Sequence, residues 1–375
     1  MKTRLPTVSR TSPEATSDIS RTHDQPVSEV SLTDLLRERT TRATVVERTA
    51  EGTLRCLACA HRCLLPAGRT GACGVRFERD GEVRAPWGYV ARAYVRSVEV
   101  NTIFHLLPGS RALTFGLYGC DLRCPYCHNW KVSQALREAT GESEPIETTA
   151  RALVDRALAE GCRVVCAAYN EPMIAVEWVR EVLAEARARG LRTAVVSDGN
   201  TTVEALEHLR GVADVFRVDL KGATVEQYRS LGGRPGPVFE AIRRAREMGF
   251  WVEVVTLVVP GFNDDPVTLR TVGQHVRDVD PSIPWHLNAF HPRYRLAQLP
   301  RTSALSLLSA AGSAYALGLR HVYVGNLDEV GELSHTRCPR CHETLIERSG
   351  YEVVRDRMAQ GGCARCGSPI AGIWA

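Results

Sequence analysis

Between Leu113 and Val324 the sequence switches repeatedly between short apolar runs rich in β-branched residues and longer stretches with helical periodicity. The runs cover 113–117, 163–168, 192–196, 215–220, 252–259, 285–290 and 321–324. Helical patterns lie between them at 150–159, 175–188, 238–248, 267–279 and 303–317. In the second of these, Val176, Val179, Val182, Leu183 and Ala186 recur at the spacing of one buried helix face. Strands alternating with helices over about two hundred residues build a parallel sheet of βαβ units. The predicted class is therefore α/β, as a partial (β/α) barrel. The runs end in polar or glycine-containing turns, among them Tyr-Gly-Cys, Tyr-Asn-Glu-Pro, Ser-Asp-Gly-Asn, Asp-Leu-Lys-Gly and Pro-Gly-Phe-Asn. Barrels carry their chemistry on such turns.

The flanks divide the rest of the chain. Residues 1–45 are rich in Ser, Thr, Arg and Asp, so a disordered extension is expected there, with a short helix near Leu32–Arg39. A Cys-rich module follows over 46–105, with β-structure expected at 83–101, then the barrel over 106–330 and a zinc-ribbon-like module over 331–375. With 44% hydrophobic residues, the 375-residue chain can build one large core plus small appendages. Its 47 basic and 43 acidic residues nearly balance, which argues against nucleic acid as the main partner. No apolar run is long enough for a membrane span, and the first residues lack the apolar core of a secretory signal. A cytoplasmic location is expected.

There, thirteen cysteines are expected to be thiols rather than disulfides. Eleven fall into three groups at ligand-like spacing: Cys56, Cys59, Cys63 and Cys73; Cys120, Cys124 and Cys127; Cys338, Cys341, Cys363 and Cys366. Two Cys-x2-Cys knuckles separated by 21 residues make the last group a zinc ribbon, with an Fe–S cluster as its competitor. The first group reads as zinc or an auxiliary Fe–S cluster, with His61 as a spare ligand. Cys162 and Cys166 read as core residues.

The middle group follows the first run as Cys120-Asp-Leu-Arg-Cys124-Pro-Tyr-Cys127-His. Three thiolates bind three irons of a 4Fe–4S cubane and leave the fourth open to a chelating cofactor. A zinc knuckle would need His128 as a fourth ligand. The loop resembles that of the radical S-adenosylmethionine (SAM) superfamily, in which the residue at Tyr126 touches adenine. The resemblance implies a radical SAM type barrel with a 4Fe–4S cluster on Cys120, Cys124 and Cys127. Tyr169-Asn-Glu171-Pro stands where the superfamily often has Gly-Gly-Glu, so Glu171 is expected to meet the methionine ammonium. Asp219-Leu-Lys221 resembles a motif of glycyl-radical activating enzymes, which implies that Lys221 binds the SAM carboxylate and that Asp219 orients it or lines the substrate space. A simple ion pair between Asp219 and Lys221 is the alternative. Asn200, Asn263, His286, His291 and Asn326 also fall at strand ends, as ligand contacts or capped turns.

The flanking motifs, Cys56-Leu-Ala-Cys59, Gly71-Ala-Cys-Gly-Val-Arg76, Val322-Tyr-Val-Gly-Asn326 and the terminal Gly372-Ile-Trp, narrow the resemblance. From Cys56 to Trp374 the chain is similar to the AmmeMemoRadiSam-system radical SAM proteins, relatives of pyruvate formate-lyase activating enzymes. The implied activity is reductive cleavage of SAM to a 5′-deoxyadenosyl radical, which abstracts hydrogen from an unidentified substrate. A flavodoxin or ferredoxin would supply the electron, and Memo-like and AmmeCR-like proteins are the implied partners. Activation of a glycyl-radical enzyme is the alternative reaction. A non-catalytic zinc protein is the alternative of another class.

Overall fold

A computed structural model describes residues 31–138, 144–327 and 331–375. At its centre lies an eight-stranded sheet whose strands follow chain order: β1 (Arg92–Ser97), β2 (Arg111–Gly116), β3 (Val164–Ala167), β4 (Arg192–Ser197), β5 (Val215–Asp219), β6 (Trp251–Val258), β7 (Trp285–Ala289) and β8 (Val322–Gly325). β1 is antiparallel to β2, and every later pair of neighbours is parallel. Parallel neighbours need crossover connections, which the intervening helices supply. The principal ones are α2 (Ala150–Ala159), α3 (Val176–Ala188), α4 (Val203–Leu209), α5 (Pro235–Glu247), α6 (Pro266–Val279) and α7 (Ala304–Ala316), with α1 (Leu32–Glu38) preceding the sheet. Thr149, Thr202, Asp265 and Ser303 cap α2, α4, α6 and α7 by accepting a backbone N–H of the first turn.

Alternation along the strands sorts the side chains. Leu113, Phe115, Val165, Val195, Phe216 and Val254 join the helices' Val179, Val182 and Leu183 in the main core. The other face carries a smaller cluster that includes Ala112, Cys166, Ala194 and Trp251. This inner face curls. The segment after β1 reaches the far edge of the sheet, where the Phe104 ring lies 4.8 Å from His286 and 4.9 Å from Tyr323. β1 and β8 do not pair with each other, so the barrel is partial. Glu253 organises its floor, accepting N–H bonds from Phe104 (3.0 Å), His105 (2.8 Å), Trp251 (3.2 Å) and His286 (2.7 Å). Burial opposes ionisation of this carboxyl, but the donors hold it below the usual glutamate range.

The C-terminal residues cover the seam between the edges. Strands β9 (Thr344–Ser349) and β10 (Glu352–Asp356) form a hairpin whose buried Arg348 donates to the Phe104 carbonyl at 3.0 Å and to Thr336 Oγ1 at 2.9 Å. The guanidinium also lies 4.1 Å from the Phe104 ring centre. Leu106 and Ile373 form a parallel bridge beneath.

The expected disorder over 1–45 fails for residues 31–45, while residues 1–30 lie outside the described residues. Ser31 caps α1, and Thr40–Arg42 pairs with Glu82–Pro86. Leu36, Ala43 and Val45 are buried. Glu177 on α3 accepts the backbone N–H groups of Thr44 (2.9 Å) and Val45 (3.3 Å), and it also takes a two-pronged bond from Arg76 at 2.7 and 2.8 Å. Few apolar residues suffice when the backbone donors find a buried carboxylate. Every cysteine is a free thiol. No helix among the described residues is long and apolar enough to cross a membrane.

Candidate cluster and cofactor site

The loop after β2 is held by side chains from both flanks. Asn170, at the end of β3, accepts from Leu117 N (3.0 Å) and donates to Gly119 O (3.0 Å). Arg137 reaches back to the carbonyls of Ala72 (2.6 Å), Cys120 (2.7 Å) and Leu122 (3.0 Å), tying the loop to the N-terminal module. Gly119 has φ +90°, and a Cβ there would lie 2.8 Å from the Cys73 carbonyl, so the turn needs glycine. Leu122, Leu231, Val259 and Phe290 surround Cys120, Cys124 and Cys127 with an apolar collar.

Burial pushes all three thiols up, Cys124 to about 12 against the opposing pull of Lys221; at Cys127 the bond to Ser133 works the other way. Thiols so hard to ionise become ligands where a metal's charge replaces the lost solvation. Among the described residues, two groups bring their ligand atoms within 4.8 Å of one another: Cys338, Cys341, Cys363 and Cys366, and Cys120 with Asp121 and Asp198. The three loop sulfurs are thus not gathered around a point. Ligands of separate irons in a cubane need that spread, and ligands of a single ion do not. His128 bonds the His291 carbonyl at 3.4 Å, away from a role as a fourth ligand. The residues therefore fit a cluster.

Beside Cys120 lies a buried acidic group that sequence reasoning did not single out. Asp121 Oδ1 and Asp198 Oδ2 stand 3.9 and 4.0 Å from its sulfur. Burial pushes Asp121 up to about 7 and Asp198 to about 8, and it pushes Glu171 well above the carboxylate range. Glu171 is less free than its expected role requires. Its oxygens already accept from Met173 N (3.0 Å), Ser197 Oγ (2.9 Å) and Asp198 N (2.6 Å). Asn200 belongs to this group and donates to Asp121 Oδ2 at 2.7 Å. The Ser-Asp-Gly-Asn turn was the visible signal for Asp198. Tyr169 takes φ +72°, the conformation that glycine adopts without strain at this strand end.

Asp219 and Lys221 do form an ion pair, at 3.3 Å, but Arg217 joins it at 2.6 Å. Burial disfavours the Lys221 ammonium, yet Asp219 and the surrounding acids hold its pKa well above the lysine value. Tyr126 is buried, its ring 5.6 Å from Phe262. Asn263 ties a turn, accepting from Val259 N (2.7 Å) and donating to Lys221 O (2.8 Å). His291 and Asn326 also bond loop carbonyls. His286 is a floor residue and stands apart from the mouth.

The flanking thiols differ from one another. In the C-terminal set, Cys338–Cys366 and Cys341–Cys363 sulfur pairs are both 3.6 Å apart. That is close to the ~3.8 Å edge of a tetrahedron with 2.3 Å metal–sulfur bonds. In the N-terminal set Cys56, Cys59 and Cys73 are buried neighbours, but the four sulfurs do not converge in this way. His61 Nε2 faces the Asp121 carbonyl at 3.2 Å.

An open three-thiol loop at the carboxyl ends of a parallel sheet, beside buried acids and a lysine, defines a site for a metal cluster with a chelating cofactor. Residues 116–270 match the model of the radical SAM superfamily. An uncharacterized protein of Methanocaldococcus jannaschii is 29% identical over 328 residues, covering 86% of this chain and 97% of that one. The pyruvate formate-lyase-activating enzyme of Staphylococcus aureus is 26% identical over 194 residues, which cover 49% of this chain and 76% of that enzyme. A radical SAM methyltransferase from Sphaerobacter thermophilus superposes with a TM-score of 0.45 at 15% identity, covering 77% of this chain and 78% of that one. The chain carries a radical SAM domain, is homologous to pyruvate formate-lyase-activating enzymes, and is an enzyme.

Proposed function

We propose that Cys120, Cys124 and Cys127 hold a 4Fe–4S cluster on which SAM is reductively cleaved for hydrogen abstraction from a substrate. The observation that carries this reading is three thiols on one loop inside an apolar collar, Cys124 buried and Cys120 and Cys127 half-buried, with Lys221 and Asp198 beside them. When bound, the cluster supplies one electron to SAM, which yields methionine and a 5′-deoxyadenosyl radical. Lys221 offers its ammonium to the SAM carboxylate, while the SAM amine would bring the positive charge against which buried Asp198 ionises, and Glu171 holds Asp198 in place through its backbone N–H. Tyr126 gives adenine a buried aromatic face, and Asp219 keeps Lys221 charged and in place. The apolar collar of Leu122, Leu231, Val259 and Phe290 excludes water.

The cysteine-rich flanks favour membership of the AmmeMemoRadiSam-system family, a cytoplasmic setting, a flavodoxin or ferredoxin as reductant and Memo-like or AmmeCR-like partners. The C-terminal thiols fit one zinc ion in their tetrahedral spacing. The N-terminal thiols are proposed as a third metal centre, zinc or an auxiliary cluster. Similarity to an enzyme named for activating pyruvate formate-lyase favours a second reading of the overall reaction, radical transfer to a protein glycine.

Anaerobic protein reconstituted with iron and sulfide should convert SAM to 5′-deoxyadenosine under dithionite. Replacing any one of the three loop cysteines by Ala should abolish that conversion with the fold retained. Persistent cleavage in the Cys124→Ala variant would sink the assignment.

A further inference from the structure

We propose that the substrate is a small molecule carrying a carboxylate or phosphate, which Arg217 binds inside the barrel; the proposal rests on the radical SAM reading above. Strand register sets the geometry. Arg92 pairs with Gly116, and Val196 pairs with Arg217. Ala168 continues the aligned row of Phe115, Ala167 and Val195 by one residue, between Gly116 and Val196. One inward-facing layer therefore reads Arg92, Gly116, Ala168, Val196, Arg217. Two cations flank three small residues. Val196 remains partly exposed although its strand lies in the interior of the sheet. Gly116 cannot be enlarged, since a Cβ would lie 2.4 Å from the Ala168 carbonyl.

Arg217 is the group this layer leaves unsatisfied. Its side chain is only 8% exposed, and among the described residues its one ion pair is to Asp219, which it shares with Lys221. Its buried Nε has no hydrogen-bond partner among the described residues. A buried guanidinium with an idle donor is costly unless an acceptor arrives. The nearest other carboxylate on the adjoining strand, Glu253, is committed to four N–H donors of the floor. His286 also feels the Arg217 charge, and burial keeps that ring from taking a proton.

Tyr351, at the tip of the β9–β10 hairpin, lies within the field of Arg217 and donates to Asn326. Arg92, partly exposed, covers the ring of Tyr169 from 5.8 Å. A planar guanidinium suits carboxylate or phosphate oxygens. A neutral glycine backbone would leave it unused.

The test uses the reconstituted, SAM-saturated full chain and calorimetric titration with malonate and inorganic phosphate, with neutral malonamide as control. The wild type should bind at least one of the anions and not malonamide. Arg217→Gln should weaken anion binding about tenfold or more and Arg217→Lys by less, while SAM affinity, which Arg217 reaches only through Asp219, should fall clearly less than anion affinity. Arg92→Gln, at the partly exposed opening, should weaken it about threefold. Should Arg217→Gln fail to fold, the Lys and Arg92 variants decide the matter. Wild-type binding weaker than about 10 mM would overturn the proposal, as would unaltered anion affinity in the variants. A loss of SAM affinity as large as the loss of anion affinity would move Arg217 into the cofactor cradle and overturn it too. A wild-type chain that binds no SAM would instead refute the radical SAM reading.

Discussion

Cys338, Cys341, Cys363 and Cys366 bring four sulfurs within 4.8 Å, whereas Cys56, Cys59, Cys63 and Cys73 share a neighbourhood without closing on a point. The C-terminal set is positioned by its own turns: Cys338 N donates to Glu343 O and Gly367 N to Cys363 O. The N-terminal set takes its place from the barrel. Cys59 forms a bridge with Thr201, Ala60 N donates to Asn200 O, and Arg137 holds Ala72. One module is built around its ligands, and the other is built against the cluster loop.

The largest expected effect follows from that contrast. A structural zinc contributes roughly 10–16 kcal/mol of apparent binding free energy to small domains. The double variant Cys338→Ala, Cys341→Ala should lose about one zinc and no iron. Residues 331–375 should then become the first site of limited proteolysis, while Cys56→Ala, Cys59→Ala leaves its module docked. Equal protease sensitivity in both variants, or iron loss from the first, would break the comparison.

Next comes the anchor of the N-terminal module. Burial raises the Glu177 carboxyl, but Arg76 outweighs it and holds the pKa at about 2. Glu177→Gln should cost roughly 3–5 kcal/mol, because it strands a buried arginine. The sign with pH follows from the depressed value. The contribution is complete above the ordinary glutamate pKa of about 4.3 and is lost as pH falls toward about 2. Acid titration of stability should be steeper in the wild type than in the variant over that window.

Leu36→Ala should cost about 2 kcal/mol or more, since the side chain is 5% exposed in the core that α1 joins. No change in urea denaturation would mean that residues 31–45 do not dock in solution. The smallest effect separates the metals. The C-terminal set needs no rearrangement to close on one ion, so a chelator should strip the N-terminal site first. The affinities should differ by at least about tenfold, or about 1.4 kcal/mol. Simultaneous loss would show that the two sites are equally preformed.

The strands were legible because parallel strands covered on both faces read as unbroken apolar runs. The cluster cysteines were legible because their ligand set lies within eight residues, Cys120 to Cys127. Arg217 and Asp198 were not. In Val-Phe-Arg217-Val-Asp219, which residues face inward depends on register with β4 and β6. Asp198 meets Cys120 across 78 positions of chain. Docking of residues 31–45 was hidden for the same reason, since Thr44 finds Glu177 133 residues away.

The long reach to Glu177 also bears on how the protein is made. Arg76 leaves the ribosome 101 residues before its partner Glu177. At 5–20 residues per second the interval is roughly 5–20 s. For that time Cys56, Cys59, Cys63 and Cys73 belong to a nascent chain that has nothing to dock against, and their sulfurs are open to solvent. Arrival of α3 then shuts the module. The window for loading the N-terminal metal is thus set by translation, whereas the C-terminal thiols are held by turns within their own segment and can close on an ion as soon as it is free.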